Sequence, residues 1–146
     1  WVFYNQSHSD EKKNKGFLEG IAEYGLNAAR QCEVEEKSLS AGKTATANLL
    51  QRYTDTDAII YSADILAVGG THYLNEKTIA IPQQIAIIGF NNSNCAKECY
   101  PPLTSIDNKI AESGKAAAQT MLHVLNSQTP ENTVLSCGLT IRESTL

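Results

Sequence analysis

Ile85-Ala86-Ile87-Ile88, followed by Gly89-Phe90, is the stretch on which the fold turns. Apolar residues in consecutive positions form a strand with no polar face. Such a strand belongs inside a parallel sheet that helices cover on both sides. Pro82 breaks the chain before it, and a polar loop runs from Asn91 to Pro101-Pro102 after it. Upstream, Asp57-Ala58-Ile59-Ile60-Tyr61 reads as a second strand, and Asp64 is placed to cap a helix carrying Leu66, Tyr73 and Leu74. Before that, Ser40 can cap a helix reaching Tyr53, with Ala45, Leu49, Leu50 and Tyr53 turned inward. Cys32 to Lys37 is a weak strand. Asp10 to Tyr24 has Phe17, Ile21 and Tyr24 at helical spacing and is stopped by Gly25. Trp1 to Tyr4 opens the series as a short apolar strand. Downstream, Asp107 is placed to cap a long helix to about Asn126 with Ile110, Ala117, Met121, Leu122 and Leu125 on one stripe. Thr133 to Arg142 reads as the last strand. Alternation of this kind predicts an α/β fold: a doubly wound, mainly parallel sheet with helices on both faces and right-handed crossovers.

Composition bounds the function. The chain has 146 residues, 42% of them hydrophobic and 19% charged, which suits a globular domain with a core of its own. The net charge is −4, and the densest basic cluster, Lys12, Lys13 and Lys15, follows Asp10 and Glu11 directly. Nucleic acid binding wants an unopposed basic patch, so this segment alone is not expected to hold DNA. No run of about 20 apolar residues is present, so no membrane span is expected. There is no basic leader or cleavage site, and the chain opens inside an apparent strand. The expectation is a cytoplasmic piece of a longer protein. The four cysteines, Cys32, Cys95, Cys99 and Cys137, are too sparse for a disulfide scaffold. Cys95 and Cys99 lack neighbouring ligands, so reduced thiols and no metal or cofactor are expected.

In an open α/β sheet, ligands bind beyond the carboxyl ends of the strands. Three such junctions are rich in amides, hydroxyls and carboxylates: Asn5-Gln6-Ser7-His8-Ser9-Asp10, Ser62-Ala63-Asp64 and Asn91-Asn92-Ser93-Asn94. These groups match the paired donors and acceptors of adjacent sugar hydroxyls, and Tyr61 or Phe90 could offer a ring an apolar face. The same residue types also make ordinary caps and turns. Other motifs fail. Gly42-Lys43-Thr44 has Lys37 where a phosphate-binding loop needs glycine. Gly69-Gly70 lies inside a helix instead of opening one. His8 beside Asp10 has no serine elbow to serve. His72 and His123 fall on helices as surface or packing residues. No catalytic constellation is legible.

Several longer stretches resemble one family. They are Ala58-Ile59-Ile60-Tyr61-Ser62-Ala63-Asp64-Ile65-Leu66-Ala67-Val68-Gly69, Ile81-Pro82-Gln83-Gln84-Ile85-Ala86-Ile87-Ile88-Gly89-Phe90-Asn91-Asn92, Pro102-Leu103-Thr104-Ser105-Ile106 and Arg142-Glu143-Ser144-Thr145. In order and spacing they are similar to the lactose-repressor/galactose-repressor (LacI/GalR) family of transcription regulators. The resemblance implies half of a sensor core of the type I periplasmic-binding-protein kind, in which two subdomains close on a sugar or nucleoside. On that pattern residues 1–106 are the C-terminal subdomain. Residues 107–130 cross over to pack on the other subdomain, and residues 131–146 return as a strand and tail. Implied partners are a small effector, a second copy of the protein, and operator DNA held by a head outside this chain. Implied ligand contacts are Asp10, Lys13, Ser62, Asp64, Asn91 and Asn92. Lys13 stands where the family has an arginine, which loses the planar fork. Ala63 stands where the family has a ligand-binding asparagine, a bond alanine cannot make. Two other functions fit the same sheet: a periplasmic sugar-binding protein serving a transporter, and an α/β enzyme.

Overall fold

The computed structural model describes residues 1–26 and 30–146. In chain order the elements are β1 (Val2–Tyr4), α1 (His8–Glu23), β2 (Cys32–Val34), α2 (Leu39–Arg52), β3 (Ala58–Ile60) and α3 (Asp64–Glu76). They continue with β4 (Ala86–Phe90), α4 (Asn94–Glu98), β5 (Thr104–Asp107), α5 (Ile110–Leu125) and β6 (Gly138–Thr140). β1 pairs parallel with β2; β3, β4 and β5 are parallel neighbours; β6 runs antiparallel to β5. The two groups meet at a parallel bridge between Val2 and Tyr61. There the Ser62 N–H donates to the Val2 carbonyl at 2.9 Å, and the Tyr4 N–H donates to Ser62 Oγ at 3.1 Å. The strand order is therefore β2-β1-β3-β4-β5-β6. From β1 the chain winds one way to β2; from β3 it winds the other way. Between β1 and β3 the connections part, and a doubly wound sheet opens its crevice at that switch point.

One face of the sheet is well packed. Val2, Ile59, Tyr61 and Ile87 lie fully buried with Leu66, Leu74 and Leu103. Each such aliphatic side chain contributes about 1.5–3 kcal/mol by leaving water. Here α2 and α3 approach each other closely enough that only glycine fits. A Cβ on Gly42 would lie 2.1 Å from the Leu66 carbonyl oxygen, and one on Gly69 would lie 2.2 Å from that of Leu39. A Cβ on Gly70 would lie 2.0 Å from Tyr61 Oη. Gly42-Lys43-Thr44 and Gly69-Gly70 thus owe their glycines to helix packing.

The other face is only partly covered. Trp1 and Phe3 alternate with Val2 and turn towards α1. The Trp1 ring stacks on Phe17 at 4.8 Å, and its indole N–H donates to Asn14 Oδ1 at 3.0 Å. Beyond this end, Ile60, Phe90 and Ile106 line an open groove of about 870 Å³ together with Phe17, Ile21 and Tyr24. Tyr24, expected to turn inward, is 77% exposed. The α5 helix has no buried residue and exposes Ile110, Met121, Leu122 and Leu125. The alternating burial of β4, with Ile87 buried and Ile88 half-buried, follows from this one-sided cover.

Several boundaries differ from the sequence reading. Ser7, not Asp10, opens α1, its hydroxyl accepting from the Asp10 N–H. Ser38, not Ser40, caps α2 by accepting from the Ala41 N–H. Asp64 is the first residue of α3 and does not cap it; its carboxylate is turned towards β4 and β5 instead. Asp107 closes β5, and Lys109 (φ 55°) precedes α5 in its place. The loop after β4 contains α4, and the final strand is confined to Gly138–Thr140.

Candidate ligand-binding site

The strand tips carry two buried carboxylates with different surroundings. Asp10, on the first turn of α1 and 1% exposed, accepts from Ser7 Oγ at 2.6 Å. Lys37, just past the tip of β2, donates to both Asp10 oxygens at 3.0 and 3.2 Å, and the Lys13 ammonium stands 3.8 Å away. Burial by itself pushes the Asp10 carboxyl up. The hydrogen bonds from Ser7 and Lys37 and the charges of Lys37 and Lys13 outweigh it and hold the group below its ordinary value. Asp64 binds differently. Its Oδ1 accepts from Ser105 Oγ at 2.6 Å, and its Oδ2 accepts from the Ser93 N–H and Oγ, both at 2.7 Å. Asp64 thus ties the tips of β3, β4 and β5 together.

Lys13 reaches from α1 across the switch point. Its ammonium donates to the Ser62 carbonyl at 3.2 Å and lies 4.4 Å from the centre of the Phe90 ring. The Lys37 ammonium lies 4.5 Å from the centre of the Tyr4 ring. Tyr4 and Phe90 at this edge therefore each face a cation. Burial lowers the pKa of Lys13; attraction to Asp10 and repulsion from Lys37 act in opposite directions on top of that.

Asn91 (φ 107°) and Asn92 (φ 50°) form the turn after β4 in a backbone region that asparagine tolerates better than most residues. The Asn92 N–H donates to Ser105 Oγ at 3.0 Å; Asn91 Oδ1 accepts from Asn108 Nδ2 at 3.2 Å. Asn92 Oδ1 accepts from Arg142 at 2.5 Å. Among the described residues, two buried side-chain oxygens lack any partner: Asn5 Oδ1, past β1, and Asn108 Oδ1, past β5.

The structure therefore brings Asp10, Lys13 and Ser62 into one contacting group, with Asp64 joined to the next tip and Asn91 and Asn92 beyond it. Ser62 acts through its carbonyl towards Lys13 and through its hydroxyl towards β1. Lys37, Ser105, Asn108 and Arg142 share this edge and were not among the expected site residues; Ser7 and Ser93, which lie within the polar junctions quoted above, share it too. The rule that ligands meet strand tips applies to β2 as much as to β1, and it would have pointed to Lys37. No spacing signal marks the others. Among the described residues, no group of three or more His, Cys, Asp or Glu side chains is arranged to hold a metal ion.

Residues 2–145 match the family described as the periplasmic binding protein-like domain. An HTH-type transcriptional regulator of Lachnoclostridium phytofermentans is 29% identical over 150 residues, covering 99% of this chain and 44% of that protein. The HTH-type transcriptional regulator GalR of Streptococcus thermophilus is 38% identical over 95 residues, 61% of this chain and 28% of that protein. Among solved structures, a PurR family transcriptional regulator from Vibrio parahaemolyticus superposes with a TM-score of 0.91 at 26% identity, covering 99% of this chain and 54% of that one. This chain spans less than half the length of these curated relatives. It belongs to the periplasmic-binding-protein-like domain family, and it matches about half of the effector-binding domain of LacI/GalR-type transcription regulators.

Proposed function

We propose that this chain is part of the ligand sensor of a bacterial LacI/GalR-type regulator, and that it binds a small polyhydroxylated effector without chemical conversion. The observation that carries the reading is the convergence of Lys13 with Asp10 and Ser62 at the β1/β3 switch point, where a doubly wound sheet receives its ligand. On this reading Asp10, Lys13, Ser62, Asp64, Asn91 and Asn92 belong to one wall of a cleft, and a second subdomain supplies the other. Residues 1–106 form the wall-bearing subdomain. The helix within 107–130 packs its apolar stripe on the second subdomain, and residues 131–146 return to the sheet. Effector binding closes the subdomains and changes how a dimer holds operator DNA through a separate head, in the cytoplasm. The ligand shifts that equilibrium only by its differential affinity for the two states.

A transporter-associated sugar-binding protein shares the fold. The regulator reading is favoured because the relatives compared above are HTH-type regulators. The test is calorimetric titration of the natural-length protein with sugars and nucleosides, followed by DNA binding with and without the ligand found. Saturable binding that alters DNA affinity is expected. Turnover of the ligand, or binding with no effect on DNA, would overturn the proposal.

A further inference from the structure

A mainly parallel sheet is normally covered by helices on both faces. Here α2 and α3 cover one face, and α1 covers only the β1 side of the other. Ile60, Phe90 and Ile106, from β3, β4 and β5, stay half-buried along the open groove. That strip has room for one further helix beside α1. The α1 wall of the groove is flattened by Gly16 and Gly20, one turn apart, where a Cβ would meet nothing within 4 Å. Glycine weakens a helix interior, so its use there calls for a reason. Elsewhere in this chain helical glycines mark the close approach of a second helix backbone, Gly42 against Leu66 and Gly69 against Leu39. Gly16 and Gly20 offer the same approach to a helix that the chain does not itself lay there.

The α5 helix is of the matching kind. Ile110, Gly114, Ala118, Met121, Leu122 and Leu125 lie on one side of it at helical spacing. Its four large side chains in that stripe are each more than half exposed. The returning segment runs beside Ser113, Ala117 and Thr120, away from the stripe. Both ends of α5 are held beyond the strand tips, because it leaves β5 at Asp107 and returns at Gly138, which pairs with Asp107. No α5 residue lines the groove of its own copy.

We propose that two copies of this chain associate by exchanging α5, each helix seating its apolar stripe in the other's groove beside Gly16 and Gly20. The contact is self-complementary, so it closes with two copies. Full burial of one such side chain removes about 60–120 Å² from water. Four partly exposed ones per helix, matching area from the groove, and two such contacts bring the total to about 1,000 Å², the size a specific interface needs. The groove opens among Lys13, Phe90 and Asn108 at the strand tips, and α5 starts past the tips of its own sheet. The exchange therefore sets the two tip edges face to face, and each copy supplies the other with a second wall. The association stands whether or not that cleft takes a ligand.

Sedimentation of the 146-residue chain from low to high micromolar concentration tests it, and a monomer–dimer equilibrium is expected. Leu125→Glu puts a charge on the exposed stripe, and Gly20→Gln fills open space with a good helix former. Neither disturbs the folded monomer, which circular dichroism checks. Each should weaken the dimer about tenfold or more. Mixing the two variants should restore association part way, since the Gly20→Gln chain keeps an intact helix and the Leu125→Glu chain an intact groove. A monomer at every concentration, a dimer indifferent to either variant, or a mixture no tighter than its parts would overturn the exchange. Each of these results would leave the sensor reading standing.

Discussion

Replacing Asp10 by alanine should destabilise the fold by breaking a buried charge pair at the strand tips. The carboxylate is 1% exposed and holds Lys37 at 3.0 Å, with Lys13 0.8 Å further out. Removing one partner of a buried ion pair costs about 3–5 kcal/mol when the other charge stays buried. The Lys37 side chain is 37% exposed and can rehydrate, whereas that of Lys13 is 13% exposed and cannot do so without leaving Ser62. The expected loss is therefore about 2–3 kcal/mol, at or just below the lower edge of the range for broken buried pairs, because Lys37 rehydrates. At about 2 kcal/mol per molar of urea, the unfolding midpoint falls by about 1–1.5 M. Urea titration followed by far-ultraviolet circular dichroism measures it. A double-mutant cycle with Lys37→Met should show that the two changes are far from additive. A midpoint shift below about 0.3 M, or strict additivity, would refute the claim that these charges form one buried unit.

The same group makes stability pH-dependent. Its folded value lies below the ordinary 3.8, so the native state binds fewer protons than the unfolded chain in that range. The contribution is complete above about pH 5 and is lost as pH falls through the folded value. The stability gap between the natural chain and Asp10→Ala should narrow on acidification; a gap that widens contradicts the assignment. Gly69→Ala should cost about 2–3 kcal/mol by thermal or urea unfolding, because its Cβ meets the Leu39 backbone at 2.2 Å. Tyr61→Phe should cost about 1 kcal/mol, since the lost 2.7 Å bond to Thr46 leaves that hydroxyl still donating to the Gly42 carbonyl. Of the four thiols, Cys137 is exposed, while burial pushes Cys32 and Cys99 up. A thiol-reactive dye should therefore label Cys137 well before Cys32 or Cys99.

The parallel core was legible because Ile87, Ile59 and Val2 leave little choice of environment. The alternation around them set the winding and so the edge where polar tips gather. β5 was not read as a strand because Thr104-Ser105-Ile106-Asp107 has no apolar pattern; Ser105 is buried for Asp64, a contact 41 residues away in sequence. Asp64 and Asp107 were misread as caps for the same reason. A carboxylate beside a helix start satisfies local rules, and only tertiary structure shows that Asp64 serves the neighbouring strands. Lys37 follows the tip of β2, where the strand-tip rule applies, but its pairing with Asp10, 27 residues away, leaves no local signal. The open groove beneath α1 could not be read from apolar spacing at all, because spacing says which residues avoid water but not what covers them.

The central claim is that the strand tips around β1 and β3 form one wall of the effector cleft. Amide hydrogen exchange of the natural-length protein, with and without a saturating ligand found by calorimetry, tests it most directly. The account predicts slowed exchange at residues 5–13, 62–64 and 91–93 together. Protection confined to residues 17–24 beside the apolar groove, with the strand tips unchanged, would contradict it.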